Sequence, residues 1–275
     1  MPKDRSAGSG GWVERIFGAR VKPADHPSRS SFQAVGPYYD YLMSRVPYRH
    51  WVDYVEEVLR VHNAAATHVL DLACGTGMVG CEMIRRGYTK TVGVDLSEGM
   101  VRVAFEQERL PVAVHDARAL GLRENTFDLV LCLYDSLNYV TEPTGLRSAF
   151  ESIYHCLTPG GMLIFDLNTI RALELDLFTQ NNLRSGEPLL YSWKSDWDAE
   201  ARICSVQMWF RWRDDEEENE FTEVHRQRGY TDDEVQGMLR DARLEILGVY
   251  DAYSFEALNP RSTRMFFVAR KPLTT

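Results

Sequence analysis

One stretch constrains this chain more than any other: Val69-Leu70-Asp71-Leu72-Ala73-Cys74-Gly75-Thr76-Gly77. A short β-type run enters a glycine turn, and a helical pattern follows through Arg86. Glycine at such a turn lets backbone pass close to a ligand, because no Cβ stands in the way. The next β-type run ends in Asp95, about twenty residues after the glycines, where nucleotide-binding βαβ units place an acid against ribose hydroxyls. On spacing alone, Gly75-x-Gly77-x-x-Gly80 also satisfies the dinucleotide fingerprint. Charge argues against that ligand, since Asp71 would repel a pyrophosphate held at the turn.

The rhythm continues. Residues 111–115 read as a third strand followed by Asp116, and residues 127–133 as a fourth, apolar nearly throughout, as a strand buried on both faces should be. A helical segment over 146–157, a Pro159-Gly160-Gly161 turn and a fifth strand over 162–167 follow. Strands alternating with helices imply right-handed βαβ units and a parallel sheet. The pattern then changes: residues 192–213 and 220–230 alternate as long strands around an acidic turn at 214–219. Thr231-Asp232-Asp233-Glu234 fits a capping box opening a helix to about Arg243. Residues 244–249 and 265–269 supply two closing strands. The expected fold is α/β: a seven-stranded, mostly parallel sheet with helices on both faces, plus an antiparallel insert after strand five. The expected organisation is a mobile arm over 1–30, a ligand-binding core with N-terminal helices over 31–169, an antiparallel lid or substrate insert over 170–230, and the rest of the core over 231–275.

With 275 residues and 44% hydrophobic content the chain can bury one substantial core. A formal charge of -9 argues against a broad nucleic-acid footprint, which needs clustered Lys and Arg. No apolar run approaches the roughly 20 residues of a membrane span. Five cysteines in mostly apolar surroundings read as reduced, packed thiols of a cytoplasmic protein, and no spacing suggests a metal site. Asp4, Glu14 and Asp25 spoil the acid-poor composition of a transit peptide.

The Asp-Leu-Ala-Cys-Gly-Thr-Gly run, together with Gly93-Val94-Asp95-Leu96-Ser97, Phe127-Asp128-Leu129-Val130 and Leu157-Thr158-Pro159-Gly160-Gly161, resembles the class I S-adenosylmethionine-dependent methyltransferases over about residues 32–271. The resemblance implies S-adenosyl-L-methionine as cofactor, whose sulfonium and ammonium charges suit Asp71. It implies that Asp71, Ala73, Cys74, Gly75 and Gly77 line the cofactor, that Asp95 with Leu96 and Met100 holds its ribose side, and that Asp116 with Ala117 frames the adenine. Leu133 would approach the sulfonium, and Tyr38 or, by preference, Tyr39 would cover the methionine end. One departure is Asp241-Ala242-Arg243-Leu244, where the family places an Ala-Gly-Phe type break. Without the glycine cap this helix end is costlier or shaped differently.

The acceptor leaves a weaker trace, because methyl transfer needs alignment more than dedicated chemical groups. Residues 134–139 lack both the Asn/Asp-Pro-Pro-aromatic run and the Pro-Cys pair of enzymes that methylate bases. A small-molecule N- or O-methyl acceptor is therefore expected, with no nucleic acid, membrane or metal partner. Tyr134, Asn138 and His225 are the candidate catalytic residues, His225 as general base. Tyr191, Trp193, Trp197, Trp209, Trp212 and Arg228 are candidates to line a lid. The competing readings are a nicotinamide-dependent oxidoreductase and a protein that binds the cofactor without methylating.

Overall fold

Neighbouring residues of the central strands bury toward opposite sides, and that alternation dictates a three-layer arrangement. The computed structural model describes residues 31–107, 109–214 and 218–273. The expected arm over 1–30 and the middle of the acidic turn lie outside them. Strands β1 (His68–Leu72), β2 (Lys90–Asp95), β3 (Val112–Val114), β4 (Phe127–Cys132) and β5 (Leu157–Asn168) pair in parallel. Strand β11 (Arg264–Arg270) runs antiparallel between β5 and β10 (Glu245–Asp251), giving the order β10-β11-β5-β4-β1-β2-β3. Val69, Leu129, Leu131 and Ile164 pack on one face against helices α2 (Tyr48–Val61) and α3 (Met78–Arg85). Leu70, Val130, Leu163 and Phe165 pack on the other against α5 (Pro143–Cys156) and α7 (Asp232–Asp241). Each face is closed by apolar burial, the dominant favourable term in folding.

Local signals act where the sequence places them. Pro47, which has no N–H to donate, separates α1 (Gly36–Leu42) from α2. Ser97 caps α4 (Glu98–Glu106) by accepting from the Met100 N–H, and Thr231 and Glu234 form the capping box of α7. The missing glycine after α7 has a visible cost. Arg243 takes a φ of 64°, a left-handed conformation unfavourable by about 1–2 kcal/mol for a residue with a Cβ. Its guanidinium lies 4.4 Å from the centroid of the Tyr154 ring, a contact that offsets part of this.

The insert differs in detail from the expectation. Besides the short helix α6 (Ile170–Glu174), it is a four-stranded antiparallel sheet, β6 (Gln180–Asn182), β7 (Leu189–Asp198), β8 (Ile203–Arg213) and β9 (Glu218–Arg228). The alternation over 192–213 therefore hides a turn. Asp198 Oδ1 accepts from the N–H groups of Glu200 and Ala201, and Arg202 takes a φ of 55°. An aspartate bonding to its own following backbone makes a turn without glycine or proline, which hydrophobic alternation does not register. One face of this sheet buries Cys204, Val206, Met208 and Phe210 against Val35, Tyr38 and Met100. The insert thus roofs the C-terminal edge of the parallel sheet, where α/β folds bind ligands.

Candidate functional site

Backbone shapes the floor of the site. Beyond β1 the chain turns sharply, with Ala73 at φ 57°, and the Cys74 N–H donates to the Val94 carbonyl. Gly75 has open space where a Cβ would stand, so its backbone faces the cavity bare. Gly77 begins α3 at φ 84°, and a Cβ there would lie 2.4 Å from a Leu110 methyl. Asp95 braces the turn, its Oδ2 accepting from the Gly75 N–H and its Oδ1 from the Ser97 N–H, both at 2.8 Å. Asp71 accepts from the Gly80 N–H at 2.8 Å, tying β1 to the first turn of α3. Burial, and then the nearby Asp95, push the Asp71 carboxyl up to about 7, with the Gly80 bond opposing. Burial likewise raises Asp95 above the ordinary carboxylate value.

Above this floor lies a chamber of about 790 Å³. Its walls come from chain segments far apart in sequence: Phe32 and Tyr39 before and on α1, Trp51 on α2, Tyr134 and Tyr139 after β4, and Trp193 on the insert. Ring contacts knit them together. Phe32 meets the His225 ring at 4.4 Å and the Tyr139 ring at 5.2 Å, while Trp51 meets Tyr134 at 5.0 Å. The segment at Phe32 is strapped down by Glu223 on β9, whose carboxylate accepts from the N–H groups of Phe32, Ala34 and Val35.

A buried polar network supports the turn after β4. Tyr134 and Asp135 both adopt positive φ, 68° and 52°, a strain of about 1–3 kcal/mol each that the surroundings must hold. Asp166 accepts from both of their N–H groups, at 2.6 and 3.0 Å. Arg264 bridges Asp166 and Asp135, and Gln227 Nε2 donates to the second oxygen of Asp135 at 2.6 Å. Burial works against the Arg264 charge, but Asp166 and Asp135 outweigh it and hold the guanidinium firmly protonated.

Most of the expected residues meet here. Tyr39, Asp71, Ala73, Cys74, Gly75, Asp95, Leu96, Met100, Asp116, Ala117, Leu133, Tyr134 and His225 all line the chamber. Tyr38 turns away, stacking on Phe221 at 5.6 Å, which separates it from Tyr39. Gly77 stands back at the start of α3. Asn138 stands back too: it is fully buried, donating to the carbonyls of Asn168 and Arg228 and accepting from the Asn168 N–H. It fastens β9 to the end of β5, and no polar atom of its side chain remains for a reactant. Asp116 holds the Arg118 guanidinium through both oxygens, so any adenine contact would share an engaged carboxylate. Of the expected lid aromatics, Trp193 lines the chamber, whereas Trp209 bonds outward to Glu220 and Trp212 packs on Tyr38. Tyr139 lay within the run 134–139 without being singled out, and Glu223, Gln227, Asp166 and Arg264 were not anticipated. The period-two run of polar residues Glu223, His225 and Gln227 on the inward face of a strand was the available signal.

The site fits the ligand that the resemblance implies. Asp71 and Asp95 sit at its floor with no ion-pair partner among the described residues, which suits a cation, and Gly75 leaves backbone open to it. A methyltransferase-domain family matches residues 69–161. A Geobacillus sp. protein named as a methyltransferase is 30% identical over 88% of this chain and 100% of its own length. The crystal structure of an S-adenosylmethionine-dependent methyltransferase from Clostridium acetobutylicum superposes with a TM-score of 0.76 at 27% identity, covering 87% of this chain and 98% of that one. A Saccharopolyspora spinosa N,N-dimethyltransferase of an amino sugar nucleotide is 31% identical over 41% of this chain and 45% of its own.

Proposed function

Because the chain belongs to the S-adenosylmethionine-dependent methyltransferases, we propose that it methylates a nitrogen or oxygen of a small molecule, with an amine the best-suited acceptor. The carrying observation is the chamber itself: it is roofed by the insert and walled by aromatic rings, and its floor carboxylates have no cationic partner among the described residues. Ring faces favour a cationic acceptor, and the floor carboxylates favour the cationic cofactor. A polymer chain would need an open groove, and this cavity lies under strap and sheet. The amino-sugar enzyme of Saccharopolyspora spinosa supports the choice of nitrogen over the part of the chain it matches.

Gly75 would lie along the cofactor, Asp95 would accept from its ribose, and Asp71 would face its positive charge. When bound, S-adenosylmethionine supplies a methyl group on a cationic sulfur. The chain's own part is to align the acceptor and exclude water, and alignment alone can supply on the order of 7–11 kcal/mol. Trp193 contributes part of the aromatic wall, its indole N–H being buried away from the chamber. Calorimetric titration with S-adenosylhomocysteine beside NADH tests the cofactor, and matched amine and alcohol pairs, followed by product mass, test the acceptor. Methylated amines support the reading. Tight S-adenosylhomocysteine binding with no methylated product from any acceptor would favour a protein that only retains the cofactor.

A further inference from the structure

His225 is almost fully buried, and both of its ring nitrogens are engaged: Nε2 lies 2.6 Å from Glu223 Oε2 and Nδ1 lies 3.1 Å from the Tyr139 hydroxyl. An imidazole so placed cannot touch an acceptor through nitrogen. Its hydrogen-bond directions follow from Glu223. The N–H groups of Phe32, Ala34 and Val35 all donate to that carboxylate and favour its ionised form without any charge on the ring. An ionised carboxylate only accepts, so Nε2 carries the proton of the neutral ring and Nδ1 is left as acceptor. Tyr139 must then donate its hydroxyl proton to Nδ1. Gln227 bonds the same phenol oxygen, which leaves one lone pair for a reactant on a ring that lines the chamber.

We propose that Tyr139 is the catalytic residue that receives the acceptor's proton, and that His225 and Glu223 are positioning residues that carry it away. The proposal rests on the amine reading of the chamber. A protonated amine has no lone pair with which to attack. Held against Tyr139, it passes a proton to the phenol oxygen while the phenol proton moves to His225 Nδ1. The products are a neutral amine, a neutral phenol and an imidazolium paired with the Glu223 carboxylate, so charge and protons balance without a free phenoxide. The other nearby charge, Asp135, is held by Arg264 and Gln227 and does not compete for His225. Glu223 also anchors the strap at Phe32, Ala34 and Val35, so the proton path and the chamber's cover share one carboxylate.

Two probe amines test this in the full chain: benzylamine, protonated at neutral pH, and aniline, whose nitrogen is already unprotonated. Tyr139→Phe should lower the benzylamine-to-aniline rate ratio about a hundredfold, within the range of general-base effects, with S-adenosylhomocysteine affinity reporting intact folding. Glu223→Gln should lower the same ratio. An unchanged ratio overturns the proposal, because a merely structural role slows both amines alike. A second measurement needs no acceptor. Nitrogen NMR of ¹⁵N-histidine protein saturated with S-adenosylhomocysteine should show His225 protonated on Nε2, with an Nδ1 signal that moves in Tyr139→Phe. Protonation on Nδ1, or a signal indifferent to the substitution, sinks the relay. If cofactor binds but neither amine is methylated, these two amines are not acceptors, and the NMR result alone decides the relay.

Discussion

The two halves of the chamber hold their shape by different means. On the side proposed for the cofactor, residues 71–77 and 93–97 build the surface largely from backbone, braced by Asp71 and Asp95 on neighbouring N–H groups. On the acceptor side, side chains from α1, the turn after β4, β9 and β11 meet across long sequence separations, held by Asp135, Asp166, Arg264 and Gln227. A backbone-built surface needs few particular side chains, so short motifs can encode it. A side-chain network is specified only when every partner is in place, and a half-satisfied one is worse than none. The first half can stay alike among relatives while the second is rebuilt for another acceptor.

The comparison can be broken most sharply at Arg264. Arg264→Met should cost about 3–5 kcal/mol, because Asp135 and Asp166 are left buried without their cation. Thermal melts would show it. If the protein melts as before, the acceptor side does not depend on its network. On the cofactor side, Asp71→Asn keeps an acceptor for Gly80 and removes the charge. The sign follows from a folded value near 7 against an ordinary 3.8. The folded protein holds a proton that the unfolded chain has lost, so wild-type stability falls as pH rises between those values. The variant should melt higher than wild type above pH 7, by on the order of 5 °C, and converge with it below pH 4. In the wild type, cationic cofactor should expel that proton, visible as buffer-dependent binding heat near pH 7; equal heats in all buffers count against a charged role for Asp71.

Asp95→Ala should weaken S-adenosylhomocysteine binding about 30-fold or more, roughly 2 kcal/mol, by losing both the ribose acceptor and the brace on Gly75. Unchanged affinity in calorimetry would move the ribose elsewhere. The smallest effect is expected at Trp193→Phe, which puts a smaller ring with a weaker face for cations in the wall. The acceptor KM should rise about fivefold, near 1 kcal/mol, with cofactor affinity within about twofold. Equal losses in both would show that the halves are not separable.

The parallel sheet, its glycine turn and the strand-end aspartates were legible because each depends on neighbours in sequence: Gly75 and Gly77 on a turn, Asp95 on a strand end, Thr231 and Glu234 on a helix start. The partners of Asn138 and Asp116 were illegible for one shared reason. Their residue types permit ligand contact, but their partners, Asn168 and Arg228 for the first and Arg118 for the second, are chosen by packing. The turn at Asp198–Arg202 escaped because a side-chain acceptor replaced the usual glycine. The sequence by itself determined the fold class and the glycine turn with its strand-end aspartates, since periodicity and turn chemistry are local. Only the tertiary structure decided that both ring nitrogens of His225 are engaged, by Tyr139 and Glu223, and that Glu223 holds both His225 and the strap. Those assignments depend on which buried polar atoms find each other across residues 32 to 225, and burial makes each such pairing obligatory without revealing it in advance.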